Sequence, residues 1–492
     1  MVATVDARTR LTPDRRTVSY RDLRIGRWTL VRLGIVAAAV VAAIWAIVTY
    51  GRPYKFFDLT IYHGAMVWWT HGGNLYDFVS PGTTLGFTYP PFAALVMAPM
   101  AALPTMVAGW MNTAVSLAAL TVLLTWLLVP IADRYGWPRW FSVALAVPLA
   151  AATEPVRETL GFGQVNLLLA VLIYADFVML RNRAKRALPG ADMAGADRSG
   201  ADVSGVGQPA EPGRLLRRLW QAGALAGVGV GLATAIKLTP GLFIIYFMVT
   251  KQWKAAATSA LTAFGVTMFT FLIGGRETVS YFTSVVLDTS RIGEVDSTAN
   301  QSLAGVLARL YDSPTTPTLM WLAFAMLLLA VGLSRANTAH AEGDELTAFT
   351  LVGLTANAIC PISWTHHLVF LIPALVILVD TALRRRAAAR GLTSRGQWTR
   401  GPVGIPALAG LRHGIGALAI YLLFVVSPIW MFEHTLPMHR HYDDGLHGAL
   451  AENSLALVII AMVALLPWRP GADPAFSPQP TVGRRARALR GS

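Results

Sequence analysis

Thirteen apolar segments alternate with polar stretches between Val31 and Leu466, and several of them reach the roughly 20 residues needed to cross a bilayer core. The pattern predicts an all-α polytopic membrane protein. If Tyr50 and Glu154 lie on the same side, the three segments between them cross an even number of times, so one must dip in and return. The segments Pro91 to Leu103 and Trp140 to Thr153 are both short for a helix rising about 1.5 Å per residue. About twelve crossings with both termini on one side is the expected count. Val31 to Tyr50 follows a basic head but is long and lacks a small-x-small cleavage site, so it reads as an uncleaved first span.

Composition agrees with lipid as the main solvent. The 492-residue chain is 54% hydrophobic and 14% charged, against about 25% charged in a typical soluble domain. Its net charge of +14 does not indicate nucleic acid, because the basic residues sit in short segments between spans. Placing the N-terminal tail, Arg181 to Arg218, Lys251 to Lys254, Arg335, Arg384 to Arg412 and the tail from Arg469 in the cytoplasm puts 30 Lys and Arg inside and 7 outside. The expected layout is a basic cytoplasmic tail over 1–30, a membrane domain over 31–467, and a basic cytoplasmic tail over 468–492. Within the domain, 181–218 is a Gly, Ala, Ser and Pro-rich linker and 384–411 a cytoplasmic loop. The single cysteine, Cys360, excludes an intrachain disulfide framework.

The candidate chemistry gathers on the outer side. Between Gly51 and Tyr89, the sequence from Phe57 places Ile61, Ala65, Met66 and Trp69 at helical spacing. Asp58, Tyr62 and His63 fall nearer another face. This predicts an amphipathic surface helix with Trp68 and Trp69 at the lipid interface and Asp58 in its first turn, where negative charge is favoured. As an N-cap or a partner of Lys55, Asp58 would be merely structural. Its company argues otherwise: Gln164 and Asn166, then Asn300 and Gln301, then His366 and His367 all lie at or just inside the ends of apolar spans, where polar groups need partners or a water-filled cavity. Glycosyl transfer needs a base for the acceptor hydroxyl and cations or donors for a leaving phosphate. Lys55, Arg157, Lys237 and Arg291 are the candidate cations, and spacing does not say which converge. Tyr89, in the stripe Phe87, Tyr89, Phe92, either seats the next helix or walls a pocket. His439, His441 and Asp443 outline a metal site, but a loop cluster without a helix-borne pair reads as solvated, so neither metal nor cofactor is expected. Asn300, Gln301 and Ser302 also match a glycosylation sequon, a frequent chance match.

The block Tyr50 to Asp58, followed by Gly72, Gly73, Asn74, Leu75, Tyr76 and by Phe87 to Phe92, resembles the first outer loop of actinobacterial polyprenyl-phosphate-sugar glycosyltransferases. It is most similar to the mycobacterial alpha-1,2-mannosyltransferases that act on phosphatidylinositol mannosides and lipomannan. Gly163 to Asn166, Lys237 to Pro240, and Asn300 to Ser302 extend the likeness across the membrane core. The resemblance implies a GT-C fold, a plasma-membrane location with an extracytoplasmic site, and Asp58 as general base. It also implies a polyprenyl-phosphate-mannose donor, a glycolipid acceptor and inversion at the anomeric carbon. Lys55, Tyr62, Tyr89, Arg157, Gln164, Asn166, Lys237, Asn300, Gln301, His366 and His367 are the expected substrate contacts. The main alternatives are a decaprenyl-phosphate-arabinose donor on the same fold and a lipid or glycolipid transporter.

Overall fold

A computed structural model describes residues 26–186, 212–288, 291–311, 316–390, 408–431 and 445–475. Residues 187–211 of the expected linker 181–218, residues 391–407 of the expected loop 384–411, and His439, His441 and Asp443 lie outside the described residues. Among the described residues the regular structure is helical, with only isolated β-bridges such as Asn300 with Trp364.

Six helices among the described residues are long and apolar enough to cross a membrane: Arg27–Tyr50, Thr105–Tyr135, Trp253–Ile273, Thr318–Ala341, Thr365–Ala389 and Leu411–Met431. Two bent pairs, Glu154–Phe162 with Asn166–Arg186 and Gly445–Glu452 with Ser454–Leu465, raise the number to eight. Four further apolar helices, Pro91–Ala102, Arg139–Ala151, Thr239–Val249 and Glu345–Ile359, are shorter. At about 1.5 Å per residue these fall short of a hydrocarbon core roughly 30 Å thick.

Except for Thr365–Ala389, which is 67% buried, the long helices keep most of their apolar surface outward. Only 11% of the apolar window of Arg27–Tyr50 and 17% of that of Trp253–Ile273 is buried within the protein. Helices satisfy their own backbone bonds, so such faces suit lipid and not water. The protein is a multi-pass membrane protein. Its centre is built instead from the shorter pieces. Tyr174 on Asn166–Arg186, Phe243 and Phe247 on Leu242–Val249, Phe349 on Glu345–Ile359 and Phe370 pack ring against ring. Nearly every residue of Glu345–Leu354 is buried, so this helix is apolar all round for want of a solvent face.

The segment Pro91–Ala102 is the one that returns. Pro90 and Pro91 start it, as suits a residue whose missing N–H is unneeded in the first turn. Its entrance and its exit both touch the short helix Phe57–Thr70: Tyr62 packs on Tyr89 before it, and His63 Nε2 bonds to Leu103 O at 2.8 Å after it. The following helix, Thr105–Tyr135, then runs to the far end of the bundle. There Arg134 meets Asp380, and Arg469 holds Asp344 at 2.7 Å and Asp380 at 2.8 Å.

The helix Phe57–Thr70 forms where it was expected, entered through Lys55 and Phe56, both with positive φ. Leu59, Ile61, Ala65 and Met66 are buried. Trp68 is largely exposed, but Trp69 turns inward and its indole donates to Glu277 at 3.2 Å. Only one of the two tryptophans therefore presents an open ring.

Candidate active site

The helix pair Glu154–Phe162 and Asn166–Arg186 bends by 119°. Gly163 makes the bend with φ 75°, a left-handed conformation that a side chain disfavours. A Cβ at this position would also stand 2.6 Å from the Leu59 Cβ. The corner thus presses directly on the residue after Asp58, and it delivers Gln164 to that carboxylate. Gln164 Nε2 donates to Asp58 Oδ2 at 2.5 Å, and Gln164 Oε1 accepts from Tyr89 Oη–H at 2.7 Å. Because the ionised carboxylate can only accept, the amide nitrogen must face Asp58, and the amide oxygen then takes the hydrogen of the Tyr89 hydroxyl. Tyr62 Oη lies 3.4 Å from the same Nε2.

Asp58 opens on a cavity of about 360 Å³. Its walls include Tyr62, Tyr89, Gln164, Lys237, Arg291 and Trp364, with Asp288, Cys360 and His367 also on the lining. The Asp58 side chain is 19% exposed. Burial pushes its carboxyl up from the usual 3.8 to about 6, against the opposing pull of the Gln164 hydrogen bond and of charge at Lys237. Burial also pushes the phenols of Tyr62 and Tyr89 upward, so both remain hydroxyl donors.

Lys237 enters from the break between Val228–Ile236 and Thr239–Gly241, where Pro240 begins a new turn. Its Nζ lies 2.8 Å from His367 Nε2, 3.4 Å from Asn166 Oδ1 and 5.3 Å from the centre of the Tyr89 ring. His367 is oriented in turn by the Trp364 backbone N–H, which donates to Nδ1 at 3.1 Å. Asn166 Nδ2 donates to His366 O at 2.9 Å, which aims its oxygen at the lysine. The His366 ring is buried beside Phe162, and its Nε2 lies 4.0 Å from Asp58 Oδ2. The expectation that His366 and His367 open a long apolar helix holds, since they lie in the first turn of Thr365–Ala389.

Of the expected site residues, the fold therefore gathers Asp58, Tyr62, Tyr89, Gln164, Asn166, Lys237, His366 and His367. Four others lie elsewhere. Lys55 is exposed on its turn and does not line the cavity. Arg157 is buried against Glu154 and donates to Ala152 O and Val425 O. Asn300 spends both ends of its amide on the backbone, donating to Val295 O at 2.8 Å and Pro361 O at 3.1 Å and accepting from Ser363 N at 2.9 Å. Gln301 likewise donates to Thr298 O and Glu452 O and accepts from Ala456 N. These three polar side chains join distant segments, so burial and polarity at a span end marked them correctly as buried but not as substrate contacts.

Asp288 and Tyr281 line the cavity without having been singled out. Arg291 was a candidate cation; it also lines the cavity, anchored by a 2.5 Å bond to Tyr76 O. The aromatic-proline stripe serves both of its readings, since Pro90 seats a helix while Tyr89 walls the cavity. As a whole the arrangement offers an ionisable carboxylate, a cation-bearing opposite wall and aromatic faces around one space, which suits transfer of a polar group from an anionic carrier.

Comparison with known proteins agrees. The sequence model of glycosyltransferase family 87 matches residues 87–363. That match contains Tyr89, Gln164, Asn166 and Lys237; Asp58 precedes it. The chain is 30% identical over 383 residues to the polyprenol-phosphate-mannose-dependent alpha-(1-2)-phosphatidylinositol mannoside mannosyltransferase of Mycolicibacterium smegmatis, covering 73% of this chain and 77% of the relative. It is 28% identical to the protein of the same description from Mycobacterium tuberculosis, covering 75% and 81%. A phosphatidylinositol pentamannoside mannosyltransferase of Mycolicibacterium smegmatis is 30% identical over 84% of this chain and 85% of its own length. No solved structure matches. The chain is an enzyme of the membrane and belongs to glycosyltransferase family 87.

Proposed function

We propose that this chain transfers mannose from polyprenyl-phosphate-mannose to a mannosyl hydroxyl of a phosphatidylinositol mannoside or lipomannan-type glycolipid, forming an alpha-1,2 linkage with inversion. Asp58 is the general base. It takes the proton of the acceptor hydroxyl as that oxygen bonds to the anomeric carbon, and the electron pair of the breaking bond passes to the donor phosphate oxygen. The observation that carries this reading is the carboxylate itself: Asp58 faces the cavity, is held by Gln164, and has its pKa near 6, a suitable value for a base working close to neutrality. Lys237 and Arg291 supply positive charge for the phosphate. Tyr62, Tyr89, Asn166, His366 and His367 position the sugar. Lys55, Arg157, Asn300 and Gln301 drop out of this assignment.

The basic segments favour both termini in the cytoplasm of a plasma membrane with the cavity on the outer face. In this layout residues 31–467 form the catalytic domain, flanked by tails over 1–30 and 468–492. The test incubates purified wild type and Asp58→Ala with polyprenyl-phosphate-mannose and a defined phosphatidylinositol mannoside. Addition of one alpha-1,2-linked hexose by wild type alone supports the reading. Turnover of decaprenyl-phosphate-arabinose alone refutes the mannosyl donor, and equal activity in a folded Asp58→Ala protein refutes the base.

A further inference from the structure

Hydrogen-bond accounting around His367 fixes where protons sit. The Trp364 backbone N–H can only donate, so His367 Nδ1, 3.1 Å away, must be the bare nitrogen of the ring. A neutral imidazole then carries its proton on Nε2. That N–H points at Lys237 Nζ, 2.8 Å away. An ammonium has three hydrogens and no lone pair, so it cannot accept this bond; an amine can. One amine hydrogen is directed at Asn166 Oδ1, whose orientation is set by the bond from Asn166 Nδ2 to His366 O.

We propose that Lys237 rests as a neutral amine docked on His367 and becomes an ammonium when the phosphate of the donor enters the cavity, so that donor binding takes up one proton. This rests on the reading that the cavity holds a lipid-phosphate donor. The arrangement avoids keeping an unpaired charge in a partly buried site, which is costly, yet provides a cation when an anion arrives. Gaining the third hydrogen forces Nζ off His367 Nε2 and frees it to face the phosphate. The new charge also favours the ionised form of Asp58, so arrival of the donor readies the base. The groups facing this lysine are Asp58 and Tyr62 from the first short helix, Tyr89 from the following loop, Cys360, and the two imidazoles of His366 and His367. Asp288 and Arg291 stand on the lining of the same cavity.

The test is calorimetric titration of the full-length protein in detergent with polyprenyl-phosphate-mannose, without acceptor, in buffers of different ionisation heat. The donor is a phosphodiester with one fixed charge, so any proton taken up belongs to the protein. At about pH 8 an ordinary lysine, with pKa near 10.4, is already charged and takes up nothing. The expected result is close to one proton per donor for wild type and for Asp58→Asn. In His367→Gln the amide oxygen accepts from an ammonium, so Lys237 is charged beforehand and uptake per donor bound falls to near zero. Lys237→Arg behaves the same way. Donor binding by wild type without proton uptake overturns the inference while leaving the donor reading intact, and so does unchanged uptake in His367→Gln. Failure of folded wild type to bind the donor overturns the donor reading and this inference with it.

Discussion

Gln164 spends its amide nitrogen on Asp58 and its amide oxygen on the Tyr89 hydroxyl, so the carboxylate meets the cavity with one oxygen already committed at 2.5 Å. The committed oxygen is also the one nearest His366, at 4.0 Å. The other oxygen is therefore the natural proton acceptor.

Transfer should fall on the acid side. The base works ionised, and burial, opposed by Gln164 and by charge at Lys237, holds its pKa at about 6, so kcat, which reports the donor-bound enzyme with its charged lysine, should rise with pH through about 6 and level above it. Asp58→Asn should lower transfer by about 100-fold to 10,000-fold, the usual contribution of a positioned base. A rate–pH profile of wild type against Asp58→Asn checks both; an acid limb that survives in the variant would assign it to another group.

Removing the Gln164 amide strips the ionised carboxylate of its donor. A hydrogen bond to a charged group contributes about 1.5–3 kcal/mol, which corresponds to roughly one to two pH units in the acid limb. Gln164→Ala should therefore move that limb upward by this amount. Tyr89→Phe, which only deprives the amide oxygen of its donor, should move it less. The readout is the limb, because a purely structural defect would lower the plateau without shifting it.

Asp58 should cost the protein stability at neutral pH. Its folded pKa, about 6, exceeds the ordinary 3.8, so the folded state binds more protons between these values and stability falls as pH rises through that window. The penalty above about pH 6 is roughly 3 kcal/mol. Asp58→Asn should thus unfold at a higher temperature than wild type near pH 7, with the gap closing below about pH 4. Scanning calorimetry in detergent at the two pH values would measure it.

Asn300 should behave as a structural clamp. Its partners belong to the backbone at Val295, Pro361 and Ser363, and leaving them unpaired in a buried site costs about 1–3 kcal/mol each. Asn300→Ala should lower the yield of folded protein and its unfolding temperature, while the folded fraction keeps the wild-type KM for the donor. A raised KM with unchanged stability would return Asn300 to the substrate site.

The fold class and the core of the site were legible for definable reasons. Lipid-length apolar runs need only local composition to be seen, and Gly163, Gln164 and Asn166 announce a polar corner between two apolar segments. Asp58 and Tyr62 lie four positions apart, so helical spacing suggests a common face, and Tyr89 stands out in the separate stripe Phe87, Tyr89, Phe92. Arg157 was misplaced because its role is decided by Val425, 268 positions later. Asn300 and Gln301 were misplaced similarly, since a buried amide looks the same in sequence whether it meets a sugar or the backbone of another loop. Asp288 and Tyr281 carry no local signal; only packing brings them to the cavity.

The sole cysteine of the chain, Cys360, lies on the cavity lining close to Lys237 and His367. Nature has thereby installed a reporter with one address. A thiol-reactive fluorophore or spin label attached to the unaltered protein reads the cavity and no other place, and shielding of that thiol by a candidate lipid gives an occupancy measurement that requires neither catalysis nor a cysteine-free background.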